Sequence, residues 1–128
     1  MLDLVMVVDD NDADLVYTEV VLRGRGIARQ VICFDTAAAA LQHLADPARP
    51  PVSLVLLDLN MPEMDGFAFL RAHEAQQPRR TPPLPVVMLS SSPEASDRLR
   101  CTAHPCVQAY VVKPLSDDDA RLLLTLGS

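Results

Sequence analysis

Four polar blocks each close an apolar run in this 128-residue chain. Asp9-Asp10 follows Leu2 to Val8, and Asp58 follows Val52 to Leu57. Ser90-Ser91-Ser92 follows Val86 to Leu89, and Lys113-Pro114 follows Val107 to Val112. Carboxylates crowded together repel one another and resist ionising together. A divalent cation removes that conflict, and Mg²⁺ is often held by one or two carboxylates plus waters and a phosphate oxygen. An aspartate can also attack phosphorus and form an aspartyl phosphate. A lysine and Mg²⁺ would then neutralise charge on the transferring group, and a serine hydroxyl could hydrogen-bond it. These residue types suggest metal-assisted phosphoryl transfer to a carboxylate. Lys113 stands out further, because it is the single lysine among eleven basic side chains.

Those blocks can act together only if the fold gathers them. The apolar runs at Leu2 to Val8, Val31 to Phe34, Val52 to Leu57, Val86 to Leu89 and Val107 to Val112 are nearly continuous rather than alternating. Such runs suit strands buried on both faces of a parallel sheet. Helical patterns lie between them: Asp12 to Arg23, Thr36 to Ala45, Gly66 to Gln77, Pro93 to Ala103 and Ser116 to Leu126. In the first, Leu15, Val16, Val20 and Val21 are the apolar positions, with Gly24 and Gly26 as stop signals. In the last, Ser116 and Asp119 form a capping-box pattern, and the carboxylates suit the helix dipole. Ala120, Leu123 and Leu124 share a face that can meet the sheet, which leaves Leu122 and Leu126 pointing elsewhere. That leftover pair could serve a homodimer or partner contact, or cover a curved core.

Five β-α units in succession predict one α/β domain over residues 1–128, a five-stranded parallel sheet with helices on both faces and flavodoxin-like order. Ligands of such sheets bind beyond the carboxyl ends of the strands, where all four polar blocks stand.

Composition narrows the function classes. Seventeen acidic against eleven basic side chains give a net charge of −6, which argues against nucleic-acid binding. No apolar stretch is long enough to span a bilayer, and no basic segment followed by a long apolar one opens the chain. Three cysteines are an odd count in a domain large enough to fold without bridges, so a reduced, cytoplasmic setting is expected.

Four motifs, taken together, resemble the receiver domain of two-component response regulators. They are Asp9-Asp10 after the first strand, L-L-D-L-N-M-P-E-M-D-G from Leu56 to Gly66, Ser90, and Y-V-V-K-P from Tyr110 to Pro114. They occur in the family's order and spacing over essentially the whole chain. The resemblance implies that Asp58 is the phosphoacceptor and that Asp10 and Asp58 ligate Mg²⁺ directly. It implies that Asp9 acts on the metal through water and that the Asn60 carbonyl completes the site. Ser90 and Tyr110 match the switch residues. Lys113 matches the lysine that meets the phosphoryl group, and the Lys113-Pro114 bond is expected to be cis. The implied partners are a sensor histidine kinase or phosphotransfer protein and a downstream protein, and the output is binding rather than turnover. No output domain is expected within these residues. Arginine is a poor stand-in for the compact ammonium, so Lys113→Arg is expected to accept phosphoryl but to signal poorly.

Each residue also has a plainer reading. Asp9-Asp10 could cap the first helix, with Asn11 or Asp12 as further cap candidates; Ser90 could lie in a solvated loop; Tyr110 could simply pack. A degenerate receiver, binding without phosphorylation, is the alternative function. Haloacid-dehalogenase-like phosphatases also use Asp, Ser, Lys and Mg²⁺, but they place a D-x-D pair on the first strand and the acidic pair late, the reverse of this order. Cys101, His104 and Cys106 lack a fourth ligand for zinc, and packing roles are expected there. His43 and His73 fall in helical segments, as surface or satisfied side chains. The segment Thr102 to Val107 lacks the glycine that commonly precedes the fifth strand of receivers. The V-D-D-N-D-A-D and H-P-C-V-Q-A-Y segments are similar to single-domain receivers paired with phytochrome-type sensor kinases.

Overall fold

Strand and helix alternate through the computed structural model, which describes residues 1–46, 48–59, 61, 65–76, 84–90, 99–100, 103–104 and 106–126. The five strands are β1 (Leu2–Val8), β2 (Ala28–Phe34), β3 (Leu54–Asp58), β4 (Val86–Ser90) and β5 (Val107–Val112). Among the described residues four helices run beside them: α1 (Asp12–Gly24), α2 (Ala37–Ala45), α3 (Gly66–Gln76) and α4 (Asp117–Leu126). The helix expected over 93–103 lies mostly outside the described residues, although Leu99 and Arg100 are helical.

All strand pairs are parallel, in the order β2-β1-β3-β4-β5. This is the flavodoxin-like order, and its switch point falls where β1 meets β3. The continuous apolar runs become β3 and β4, buried at every position. The two outer strands keep exposed residues, such as Arg29 and Gln30 on β2 and Gln108 on β5. Polar residues on an edge strand hide it from a search for apolar runs, so β2 starts three residues before its expected Val31.

Strand alternation sorts the core into two layers. Leu4, Met6 and Val8 of β1 join Ala40, Phe69 and Met88 beneath α2 and α3. Val5 and Val7 join Leu15, Leu22, Leu56 and Leu123 beneath α1 and α4. Burying such side chains contributes about 1.5–3 kcal/mol each relative to exposure.

The caps follow local chemistry. The Asn11 side chain accepts from the Asp14 backbone N–H at 3.0 Å, so Asn11, of the candidates, caps α1. Gly26, at φ 67°, ends that helix in the left-handed region that glycine tolerates. At α4, Asp119 N donates to the Ser116 hydroxyl and Ser116 N donates to the Asp119 carboxylate, the expected reciprocal pair.

The sheet decides two helix faces that spacing left open. Val16 and Val20 of α1 are each 63% exposed, while Leu15, Thr18 and Leu22 are buried. The apolar positions alone do not fix the buried side, and the sheet covers the one containing Thr18. On α4, Ala120 and Leu123 are buried as expected, but Leu126 also packs on the core and only Leu122 of the leftover pair stays exposed. Among the described residues no helix is long and apolar enough to cross a membrane.

Candidate functional site

Strand register assembles the site. Val8 of β1 pairs with Leu57 of β3, so the next residues, Asp9 and Asp58, stand side by side. The same alternation sets their direction. Asp9 continues the Val5, Val7 series, and Asp58 continues Leu54, Leu56, both of the layer under α1. One oxygen from each of Asp9, Asp10 and Asp58 falls within 4.8 Å of the others. Asp9 and Asp58 are buried and Asp10 is exposed. The backbone N–H of Asp9 donates to the Phe34 carbonyl, which extends the β1–β2 ladder to the site's floor.

β5 delivers the cation through an irregularity. Val86 pairs with Val107 but Val87 pairs with Ala109, so Gln108 is an extra residue. Ser90 then pairs with Val112, and the Lys113 N–H donates to the Ser90 carbonyl at 2.7 Å. Without the extra residue Ser90 would face Val111, and the lysine would stand about 3.3 Å further along the strand. A one-residue slip also exchanges faces. As it is, Lys113 continues Ala109, Val111 on the α1 side, with the two aspartates. The Lys113-Pro114 peptide bond is cis.

The Lys113 ammonium meets three carboxylates: Asp9 at 2.7 Å, Asp14 at 2.9 Å and Asp58 at 3.5 Å. Burial works against its charge, but hydrogen bonds to Asp9 and Asp14 and the charges of Asp58 and Asp9 outweigh that and hold it well above the usual lysine range. Asp9 is satisfied at its other oxygen by the Asn11 N–H at 3.0 Å.

Gly66 lets α3 begin against the end of β3. A Cβ there would come within 2.7 Å of the Met88 methyl and 3.1 Å of the Asp58 carbonyl oxygen. This assigns a packing reason to the last residue of the central sequence motif.

Ser90 is fully buried, and Tyr110 is half-buried against the layer under α2 and α3. Ser90 and Tyr110 share that face, since Met88 pairs with Tyr110 and Ser90 with Val112. Asn60 and residues 62–64 lie outside the described residues. One participant escaped sequence reasoning. Asp14 enters the sequence reading only within the first helical pattern and the V-D-D-N-D-A-D segment, with no role of its own, yet its carboxylate holds Lys113. The signal was its place one turn after Asp10, but using it required knowing that α1 lies on the lysine's side of the sheet.

The donor set is all hard oxygen, which suits a Mg²⁺-class cation, and the three clustered carboxylates with one ammonium leave negative charge for it to offset. The family model for the response regulator receiver domain matches residues 5–125. The chain belongs to this family.

This receiver domain is 32% identical over 124 residues to the two-component response regulator ORR1 of Oryza sativa subsp. japonica, covering 93% of this chain and 52% of that protein. The chain thus spans about half the length of the first curated relatives it matches. Among solved structures it resembles the bacteriophytochrome response regulator RtBRR, with TM-score 0.80, 31% identity and coverage of 100% and 80%. It also shares its fold with the receiver domain of sensor histidine kinase PA1611 from Pseudomonas aeruginosa PAO1, which contains a magnesium ion in its active-site cleft. That likeness has TM-score 0.79 and 23% identity and covers both chains fully.

Proposed function

We propose that this receiver accepts a phosphoryl group on Asp58 from a phosphohistidine of a sensor histidine kinase or phosphotransfer protein. The observation that carries this is the register of β1 and β3, which sets Asp9 beside Asp58 with Lys113 3.5 Å from the Asp58 carboxylate. An Asp58 oxygen attacks phosphorus, the P–N bond breaks, and its electron pair returns to the donor imidazole. Lys113 offsets the charge brought onto Asp58, and the Ser90 hydroxyl hydrogen-bonds a phosphoryl oxygen. Asp10 and Asp58 directly, Asp9 through water and the Asn60 carbonyl would hold Mg²⁺, which neutralises charge on the transferring group. The magnesium in the PA1611 receiver supports that assignment.

Rearrangement at Ser90 and Tyr110 then changes affinity for a downstream protein. The likeness to RtBRR supports a phytochrome-type kinase as the donor. In this reading residues 1–128 work as a stand-alone cytoplasmic response regulator, and the exposed Leu122 is available to a partner or second copy. The test is phosphate incorporation from acetyl phosphate with Mg²⁺, comparing wild type with Asp58→Asn. Incorporation confined to wild type supports the reading, and equal incorporation in both overturns it.

A further inference from the structure

We propose that Asp14 is a positioning residue for Lys113: it draws the ammonium toward α1 in the unphosphorylated protein, and phosphorylation must break that contact. This rests on the reading of Asp58 as phosphoacceptor.

An ammonium has three N–H donors. Lys113 commits two of them at good hydrogen-bond distance, to Asp9 at 2.7 Å and Asp14 at 2.9 Å. Asp58, at 3.5 Å, is too far for a strong bond. The lysine therefore rests on the side of its cage away from the phosphoacceptor. A phosphoryl group on Asp58 adds negative charge and strong acceptors there, so the ammonium must turn toward it and loosen one existing contact.

Asp9 cannot yield cheaply. Its side chain is 1% exposed, so on losing the ammonium it has only the Asn11 N–H and the metal-bound water to fall back on. Asp14 is 41% exposed and lines, with Lys113, a groove of about 420 Å³ beside Tyr17, Thr18 and Leu115. Water can replace the ammonium at Asp14, and the first turn of α1 stabilises a carboxylate without help. The Asp14 contact is accordingly the one that gives. Its backbone N–H, not its carboxylate, serves the Asn11 cap, so Asp14→Asn keeps the helix start.

The single lysine makes the test direct, because isotopically labelled lysine yields one set of side-chain NMR signals, those of Lys113. Wild type, Asp14→Asn and Asp14→Glu are compared free and with acetyl phosphate and Mg²⁺. In free Asp14→Asn the lysine signal moves toward its position in phosphorylated wild type. Half-maximal phosphorylation then needs about two- to fivefold less acetyl phosphate, the range for a half-exposed ion pair. Asp14→Glu restores both values. Phosphorylation of wild type combined with an Asp14→Asn signal that stays in place, or an unchanged acetyl phosphate requirement, overturns the proposal alone. A wild type that takes up no phosphoryl overturns the reading of Asp58 and this proposal with it.

Discussion

Two polar clusters of this receiver are built from residues far apart in the chain, and they differ in how their groups are paired. At the carboxyl ends of the strands, Asp9, Asp14 and Asp58 surround one ammonium while Asp10 stands beside Asp9 and Asp58, and negative charge is left over. Where the chain enters β5, Glu74 of α3 meets His104 and Cys106. The His104 Nδ1 lies 2.8 Å from the Glu74 carboxylate, and the Cys106 thiol donates to the same oxygen at 3.8 Å. Phe67 packs beside His104, with the Arg100 guanidinium over its ring. In this second cluster His104 and Cys106 both find their hydrogen-bond partner in the Glu74 carboxylate. A site that keeps unbalanced charge at a strand end asks for a ligand, while one whose partners are paired only holds the fold.

The contrast can be broken by experiment. Lys113→Ala should cost the most, about 3 kcal/mol in urea unfolding, because it strands the buried Asp9 carboxylate. Millimolar Mg²⁺ should recover part of that loss, and no recovery would mean that the carboxylates do not share a cation. Gly66→Ala should cost about 1–2 kcal/mol by crowding Met88 and the Asp58 backbone, and should slow phosphate incorporation as the end of β3 shifts. Glu74→Gln should cost under about 1 kcal/mol, since its carboxylate is half-exposed, and should leave incorporation unchanged. Slower incorporation in that variant would tie the two clusters together.

The smallest effect concerns a thiol. Burial first, then the Glu74 carboxylate, pushes Cys106 up to about 11 from an ordinary 9.0. A raised folded-state value means that the fold prefers the protonated thiol. Its contribution is complete below pH 9 and is lost as pH climbs through 11. At pH 8 iodoacetamide should therefore label Cys106 far more slowly in the native protein than in the unfolded chain. Equal rates would show that the Glu74 cluster is open to solvent.

Much of the architecture was legible in residue order. Continuous apolar runs marked β3 and β4 because central strands of a parallel sheet are buried on both faces. Ser116 and Asp119 marked the start of α4 because a cap needs only neighbours three residues apart. Less legible were the features that depend on distant partners. The exposure of Val16 and Val20 on α1 and the inward turn of Leu126 on α4 are not written in spacing, because a helix's buried side is set by the sheet it lands on.

By itself the sequence determined the alternation of strand and helix, the polar residue closing each central strand, and the motif that places this chain among receivers. These are local properties, written in runs, spacings and caps. Only the tertiary structure decided that Asp9 and Asp58 lie abreast and that the extra residue at Gln108 turns Lys113 to their side. It alone brought Asp14 across from α1 to hold the one lysine. Register and bulges are fixed by pairing between strands, and no stretch of a single strand carries that information.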